Sequence, residues 1–358
     1  MIRFLTILSL IFLIGCNKST TSIDNNDSNT SFLVSDEPYY YQQWYLDRND
    51  TFYIENDIDA NASIQLGEYR YYYMGRGIKV AIIDDGLDMK HEDLKGAILH
   101  TFDIATNSTN VNHTDSEDFH GTAVTGIIAA RKNDKGILGV AAQSQILFLK
   151  YKERMSDSDL IELFKKAQEW GADVINCSWG TYDVSESVKE VIQDLATNGR
   201  GGRGIPIVFA AGNDDQDMGN DESAIDEVIA VGASGKDNHR TWYSNYGEHL
   251  DVLAPGGYYI GIATLDDTGS NGAGTLDENY LLAEDENAFI GTSAAAPIVT
   301  GVIALMLEKN PNLTRKEIET ILHNTSDKIG DREYIDGFNE YYGYGKINVS
   351  KIMSRLDI

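Results

Sequence analysis

Between residues 78 and 309, short β-rich apolar runs alternate with helical segments, and this alternation limits the possible folds more than any other feature. Apolar runs without polar alternation are typical of strands buried on both faces. Strands that alternate with helices form a parallel sheet covered on both sides. The sequence therefore predicts a doubly wound α/β fold with a mostly parallel sheet and helices on both faces. The predicted strands are 78–83, 145–150, 173–177, 206–211 and 228–233, and the predicted helices are 120–131, 157–170, 184–197 and 293–309.

The N-terminal part of the chain has the pattern of an export signal. The apolar run 4–14 is too short to cross a bilayer but fits the centre of a signal peptide. It ends in Leu-Ile-Gly-Cys, which resembles the lipobox of bacterial lipoproteins and implies a lipid on Cys16. An ordinary secretory signal is the alternative. The predicted segments are a signal peptide at 1–15, a polar and flexible tether at 16–35, and one domain at 36–358 that begins with an irregular arm.

The charge of the chain restricts its partners. Its 56 acidic and 29 basic residues give a formal net charge of -27, which repels nucleic acid phosphates and anionic bilayers. We therefore expect no nucleic acid partner, and membrane contact only through the lipid anchor, in the bacterial cell envelope outside the cytoplasm. Cys16 and Cys177 are the only cysteines, so several intrachain disulfides are impossible. A buried Cys177 is expected to act as a small hydrophobe.

Three short motifs lie at the ends of predicted elements: Asp-Asp-Gly at 84–86, His-Gly-Thr at 120–122 and Gly-Thr-Ser at 291–293. Open parallel sheets collect their functional sites at the carboxyl ends of strands. A serine nucleophile needs an imidazole to accept its proton, and the imidazole needs a carboxylate to orient it. Taken singly, each motif has a structural alternative as a turn former, a packing residue or a helix cap. The predicted acid, base and nucleophile are Asp84, His120 and Ser293.

A fourth motif fits the same chemistry. Ala-Gly-Asn at 211–213 follows a predicted buried strand, and the amide of Asn213 can donate a hydrogen bond to a developing oxyanion. The alternative for Asn213 is a turn residue in the left-handed conformation. The chain order Asp, His, Ser is that of subtilisin and differs from the orders in chymotrypsin and in α/β-hydrolases.

These motifs closely resemble those of the subtilase family, from Glu37 to about Lys351. The resemblance implies that Asp84, His120 and Ser293 form a catalytic triad and that Asn213 is the oxyanion donor. It also implies that Ser178, Trp179 and Gly180 belong to a strand that pairs with extended substrate backbone, a sequence-tolerant mode of peptide binding. The function implied is that of a serine endopeptidase that cleaves protein or peptide substrates through an acyl-enzyme. A catalytically silent protein, or one dedicated to a single binding partner, is the alternative.

Within the family, the doubled aspartate at 84–85 resembles the kexin and furin branch, which cuts after basic residues. Carboxylates at plausible substrate-binding positions are Asp85, Asp183, and Asp217 or Asp221. A desolvated carboxylate forms a charge-assisted pair with an Arg side chain. Acidic loops that arise by chance in an acidic protein are the alternative.

The resemblance also implies a structural calcium site. Glu37 and Asp93 match carboxylates of a family calcium site, and Asn133 begins a loop that resembles the one supplying further oxygens. Hard oxygen ligands of this kind suit Ca²⁺. A simple helix-end position is the alternative for Asp93.

The sequence departs from the kexin branch in several respects. From the short segment before the arm we expect no folding prodomain, and we expect no counterpart of the second, β-rich domain of that branch. An acidic, Gly-rich insertion occupies residues 266–287, just before the predicted nucleophile. A parallel α/β domain of high contact order folds slowly. We therefore expect a separate chaperone or inhibitor protein as a partner.

Overall fold

The fold is built on a seven-stranded sheet in which every neighbouring pair of strands is parallel, in the order β2-β3-β1-β4-β5-β6-β7. The computed structural model describes residues 37–113, 119–269 and 272–357, so the signal peptide, the tether and Cys16 lie outside the described residues. The strands are β1 Lys79–Asp84, β2 Ile98–Asp103, β3 Gln145–Lys150, β4 Val174–Cys177, β5 Ile207–Ala210, β6 Ile229–Ser234 and β7 Val252–Pro255. A small antiparallel pair consists of β8 Thr264–Leu265 and β9 Tyr280–Leu281.

Helices cover both faces of this sheet, which confirms the predicted doubly wound α/β fold. Along β1, Val80 and Ile82 point into a core shared with the helices that begin at residues 120 and 292, whereas Ala81 and Ile83 point into a second core shared with the helices that begin at residues 157 and 186. Strand side chains alternate between faces, so an uninterrupted apolar run fills both cores. The helices are α1 Asp50–Glu55, α2 Tyr69–Tyr72, α3 His120–Ala129, α4 Asp157–Glu169, α5 Glu186–Gly202, α6 Thr292–Lys309, α7 Arg315–Thr325 and α8 Val349–Arg355.

Helix α6 is the central element of the larger core. It is long and apolar enough to cross a membrane, but 83% of it is buried inside the protein, as expected for a core helix. It packs beside α3 and against strands β4 to β7. This position brings the start of α6 to the same edge of the sheet at which β1 and β4 end.

The segment 37–73 packs onto this domain, and it contains the two short helices α1 and α2 where the sequence predicted irregular structure throughout. Trp44 and Tyr45 are completely buried. The indole N–H of Trp44 donates to the carbonyl of Gly261 at 2.7 Å, and the hydroxyl of Tyr45 donates to the carbonyl of Ala263 at 2.9 Å. The aromatic residues of the arm therefore anchor it to the segment that leads into β8.

Burial in the sheet predicts a large stability difference between two isoleucines. Ile82 is completely buried in β1, while Ile54 in α1 is 77% exposed. Ile82→Ala should lower the free energy of unfolding by about 2–5 kcal/mol because it leaves a cavity. Ile54→Ala should change it by less than about 0.5 kcal/mol. Urea unfolding in a Ser293→Ala background measures both, and equal losses would contradict the assigned core.

Candidate active site

The carboxyl end of β1 and the start of α3 bring Asp84 and His120 together. His120 Nδ1 lies 2.7 Å from Asp84 Oδ1, and the Asp84 side chain is completely buried. Gly121 permits this approach, because a Cβ at that position would lie 2.2 Å from the carbonyl oxygen of Gly86. Any other residue would push α3 away from the loop that follows β1. The acid and base predicted from the sequence are thus hydrogen-bonded.

The electrostatics of this pair favour the protonated imidazole. Burial lowers the pKa of His120, but the charge of Asp84, the hydrogen bond to it and the charge of Asp85 together raise that pKa to about 9. Asp84 Oδ1 also accepts the backbone N–H of Asp85 at 2.9 Å. An imidazole with a raised pKa accepts a proton readily, but it is neutral, and so able to act as a base, mainly at alkaline pH.

Ser293 lies in the first turn of α6, after Gly291, whose φ of +121° favours glycine. Its hydroxyl donates to the carbonyl oxygen of Ser178 at 2.9 Å, and the Ser178 hydroxyl donates to the carbonyl of Ser293 at 3.1 Å. The ring of Phe289, in the segment that leads to Ser293, lies 5.4 Å from the His120 ring between centroids. The hydroxyl hydrogen of Ser293 must leave the Ser178 carbonyl before His120 can accept it.

Asn213 is exposed and lies beside the start of α6. Its Oδ1 accepts hydrogen bonds from the backbone N–H of Thr292 at 2.9 Å and from the Thr292 hydroxyl at 3.0 Å. This fixes the amide orientation and leaves Nδ2 as the group that can donate to a ligand. A Cβ on Gly291 would lie only 3.4 Å from the Asn213 amide. Thr292 belongs to the motif at 291–293 but was not predicted as a site residue, and its contacts orient the predicted oxyanion donor.

The predicted substrate strand is not a strand in the structure, because β4 ends at Cys177 and residues 178–180 lie just beyond it without regular secondary structure. The indole N–H of Trp179 donates to the carbonyl of Ile83 at 2.8 Å, and its ring packs edge-on against Phe209 at 5.5 Å. The side chain of Trp179 thus anchors this segment to the sheet, while Gly180 is exposed.

The predicted specificity carboxylates differ in their internal hydrogen bonds. Asp85 Oδ1 accepts the backbone N–H of Gly121 at 2.8 Å, and the exposed Asp183 accepts the amide of Asn220 at 2.7 Å. Asp221 is only 8% exposed. Its carboxylate accepts the Tyr182 N–H at 2.8 Å and both the N–H and the hydroxyl of Ser223, at 3.0 and 2.9 Å. Asp183 is therefore the more available of the two aspartates.

A buried glutamate next to Asp221 was not singled out from the sequence. Glu222 is completely buried and accepts both the N–H of Thr181, at 2.9 Å, and its hydroxyl, at 2.7 Å. Burial raises the pKa of Glu222, and the hydrogen bonds from Thr181 partly offset this. Glu222 and Asp221 together hold the segment that follows Gly180.

The three predicted calcium ligands also lie together. The Glu37 carboxylate accepts backbone N–H groups of Asn133 at 2.9 Å, Asp134 at 3.2 Å and Lys135 at 2.8 Å. Within the described residues, Asp93 Oδ1 and Asn133 Oδ1 are buried oxygens without a hydrogen-bond partner. Burial raises the pKa of Asp93 to about 7, and nearby Glu37 adds to this shift. Buried carboxylate and amide oxygens without donors fit a hard cation such as Ca²⁺.

Comparison with known proteins gives a consistent set of relatives. A calcium-dependent protease of Nostoc sp. is 32% identical over 87% of this chain and 51% of its own length. Subtilisin DY of Bacillus licheniformis is 33% identical over 77% of this chain and 91% of its own length. A dibasic-processing endoprotease of Yarrowia lipolytica is 28% identical over 88% of this chain and 33% of its own length. The chain spans about half the length of the first two curated relatives that it matches.

Solved structures share the fold of this chain, and a family model matches most of its sequence. A protease of Pseudoalteromonas arctica has a TM-score of 0.71 at 25% identity, covering 90% of this chain and 99% of that one. The serine protease of Aeromonas sobria, solved with a chaperone, has a TM-score of 0.77 at 22% identity, covering 90% and 67%. The sequence model of the subtilase family matches residues 75–345. Because of that match, and because subtilisin DY aligns with this chain over 91% of its own length, this chain belongs to the subtilase family.

Proposed function

We propose that this chain is a serine endopeptidase whose triad is Asp84, His120 and Ser293. The observation that carries the proposal is the 2.7 Å contact between His120 and the fully buried Asp84, at the sheet edge where α6 begins. Titratable groups with strongly perturbed pKa values cluster at functional sites, and the pKa of His120 is raised to about 9. Subtilase family membership supports the same reading.

Each of these residues has its own role in the proposed reaction. Ser293 Oγ attacks the substrate carbonyl and passes its proton to His120, while the Asp84 carboxylate stabilises the imidazolium that forms. Asn213 Nδ2 and the backbone N–H of Ser293, at the N-terminus of α6, donate hydrogen bonds to the oxyanion. His120 then protonates the leaving amine as the C–N bond breaks. In the second half of the reaction His120 takes a proton from water, which attacks the acyl-enzyme, and returns the proton to Ser293 Oγ as the ester bond breaks. Residues 178–180 offer backbone groups to an extended substrate.

The location of the chain is part of the proposal and rests on the sequence alone. A lipid on Cys16 would hold the enzyme on a membrane of the bacterial cell envelope outside the cytoplasm, with residues 16–35 as the tether. A separate chaperone or inhibitor protein is proposed as a partner. The Aeromonas sobria protease solved with a chaperone supports this idea by fold similarity.

Labelling by a fluorophosphonate tests the triad. The wild-type protein should react at Ser293, and Ser293→Ala should not. Because His120 must be neutral to accept a proton, and its pKa is raised to about 9, the labelling rate should rise from neutral pH towards that value. Asp84→Asn should lower the rate by roughly 10⁴-fold and move the midpoint to lower pH.

Two results would count against the triad. A folded wild-type protein that never labels would favour the catalytically silent alternative. In that case the Ser293 hydroxyl would stay hydrogen-bonded to the carbonyl of Ser178. A labelling rate that does not change between pH 6 and about 9 would exclude His120 as the base.

Cleavage after basic residues is proposed for substrate choice. The relative named a dibasic-processing endoprotease and the exposed carboxylate of Asp183 support it. Peptides with Arg or Lys before the scissile bond should be cleaved best. Asp183→Asn should reduce kcat/KM for Arg relative to Leu by about tenfold, because one charge-assisted hydrogen bond contributes about 1.5–3 kcal/mol.

Asp157→Asn is the matched control for this substitution. Asp157 is also exposed, and it also accepts one side-chain hydrogen bond, from Ser187 at 3.1 Å. It should leave the ratio of Arg to Leu cleavage unchanged. Equal cleavage after Leu and Arg by the wild-type protein would end the proposal of basic specificity.

Calcium is proposed as a structural cofactor, held by Asp93, Asn133 and Glu37. The unpartnered oxygens of Asp93 and Asn133 support it, as does the name of the Nostoc relative. In a Ser293→Ala background, excess chelator should lower Tm by about 5 °C, because a ligand at 100 times its Kd stabilises by about 2.7 kcal/mol. Asp93→Asn should make Tm much less sensitive to calcium, and Asp50→Asn, at an exposed site, should not. An unchanged Tm in chelator would contradict the site.

A further inference from the structure

The insertion at 266–287 reaches the catalytic elements through two adjacent residues. Asp267 Oδ1 accepts the hydroxyl of Thr122 at 2.7 Å, and Thr122 lies two residues after His120 in α3. The N–H and hydroxyl of Thr268 donate to Asp88 Oδ2 at 3.1 and 2.7 Å. Asp88 lies in the loop that begins after Asp84. The insertion is therefore hydrogen-bonded both to the helix that begins with His120 and to the loop that follows Asp84.

Thr122 closes this network. Its hydroxyl oxygen accepts the backbone N–H of Asp88 at 2.8 Å while the hydroxyl donates to Asp267. Thr122 and Asp267 are completely buried, and Asp88 is 4% exposed. A buried hydroxyl that both donates and accepts a hydrogen bond has one favourable orientation. The network thus fixes the first turn of α3 against the loop after β1.

The second carboxylate oxygen of Asp267 faces a histidine. Asp267 Oδ2 lies 3.2 Å from His113 Nδ1, an ion-pair contact without hydrogen-bond alignment. Asp88 and Asp266 are the other charged groups that face it, and the Asp266 carboxylate accepts the Gly274 N–H at 2.7 Å. Burial raises the pKa of Asp267 to about 6, and the Thr122 hydrogen bond and His113 partly offset this rise. A carboxylate is buried at this position although an apolar residue would cost less free energy to bury.

We infer that Asp267 is a positioning residue for the catalytic pair: by accepting the Thr122 hydroxyl, it holds His120 in line with Asp84. Nothing in the proposal requires Asp267 to touch the substrate. The inference rests on the proposed endopeptidase function, because it assigns Asp267 a role in the same site. It explains why the insertion begins with two buried aspartates where a surface loop needs none.

Kinetics of four variants test the inference. Asp267→Ala and Thr122→Val each remove the bond, and each should lower kcat by about 10- to 100-fold with KM within twofold, since misplacement by about 1 Å has an effect of this size. Thr122→Ser keeps the hydroxyl and should restore most of kcat. Asp267→Asn keeps an acceptor oxygen, so its loss should be smaller than that of Asp267→Ala.

Asp285→Asn is the matched control within the same insertion. Asp285 is also buried, and its carboxylate binds Thr275, Leu276 and Asn287 of the insertion. This variant should lower Tm and leave kcat within twofold of wild type. If it lowers kcat as much as Asp267→Ala does, or if Asp267→Ala and Thr122→Val retain kcat, the inference is overturned. If Asp267→Ala does not fold, Thr122→Val decides, because it keeps the volume of the side chain.

Proton NMR separates this inference from the endopeptidase proposal. In a Ser293→Ala background, the Nδ1–H of His120 bound to Asp84 should give a low-field resonance. Thr122→Val or Asp267→Ala should shift that resonance upfield and lower the pH at which it titrates, while Asp285→Asn should not. A resonance unchanged in both variants overturns the positioning role, whether or not the wild-type protein labels with a fluorophosphonate.

Discussion

The close approach of helix α3 to the end of strand β1 is the contact on which the rest of the site depends. It is possible only because Gly121 has no side chain and faces the backbone of Gly86 and the ring of Phe148. The short contact between His120 and Asp84 follows directly from this backbone spacing. Because Asp84 is completely buried, its charge and its hydrogen bond to His120, together with the charge of Asp85, raise the pKa of His120 although burial alone would lower it.

Most of the architecture was predictable from the sequence, because buried parallel strands leave an unmistakable apolar pattern. Strand β2 was missed, since its His and Thr residues interrupt the apolar run, and so was β7, which has only four residues and ends in a proline. Helix α7 was missed despite a capping box between Thr314 and Glu317, a local signal that could have found it.

For the site as well, the sequence predicted residues that lie in short motifs but not residues whose contacts are distant in the sequence. Asp84, His120, Ser293 and Asn213 could be predicted as site residues because each lies in a short motif at or next to the end of a regular element. Asp267, in contrast, lies 145 residues from Thr122, and no periodicity or spacing connects them. Buried polar networks of this kind depend on tertiary packing, so sequence patterns indicate the proposed reacting groups better than the groups proposed to orient them.

The insertion connects two regions that the sequence analysis treated separately. At one end, Asp267 is hydrogen-bonded to α3 and Thr268 to the loop that follows Asp84. Further along, the Tyr280 ring packs against His91, and its hydroxyl donates to Glu92 at 3.2 Å, next to Asp93. Gly136 leaves room for this ring, since a Cβ there would lie 2.0 Å from it. The insertion therefore contacts both the loop that follows β1 and the turn that carries Asp93, so the proposed active site and the proposed calcium site share one supporting segment.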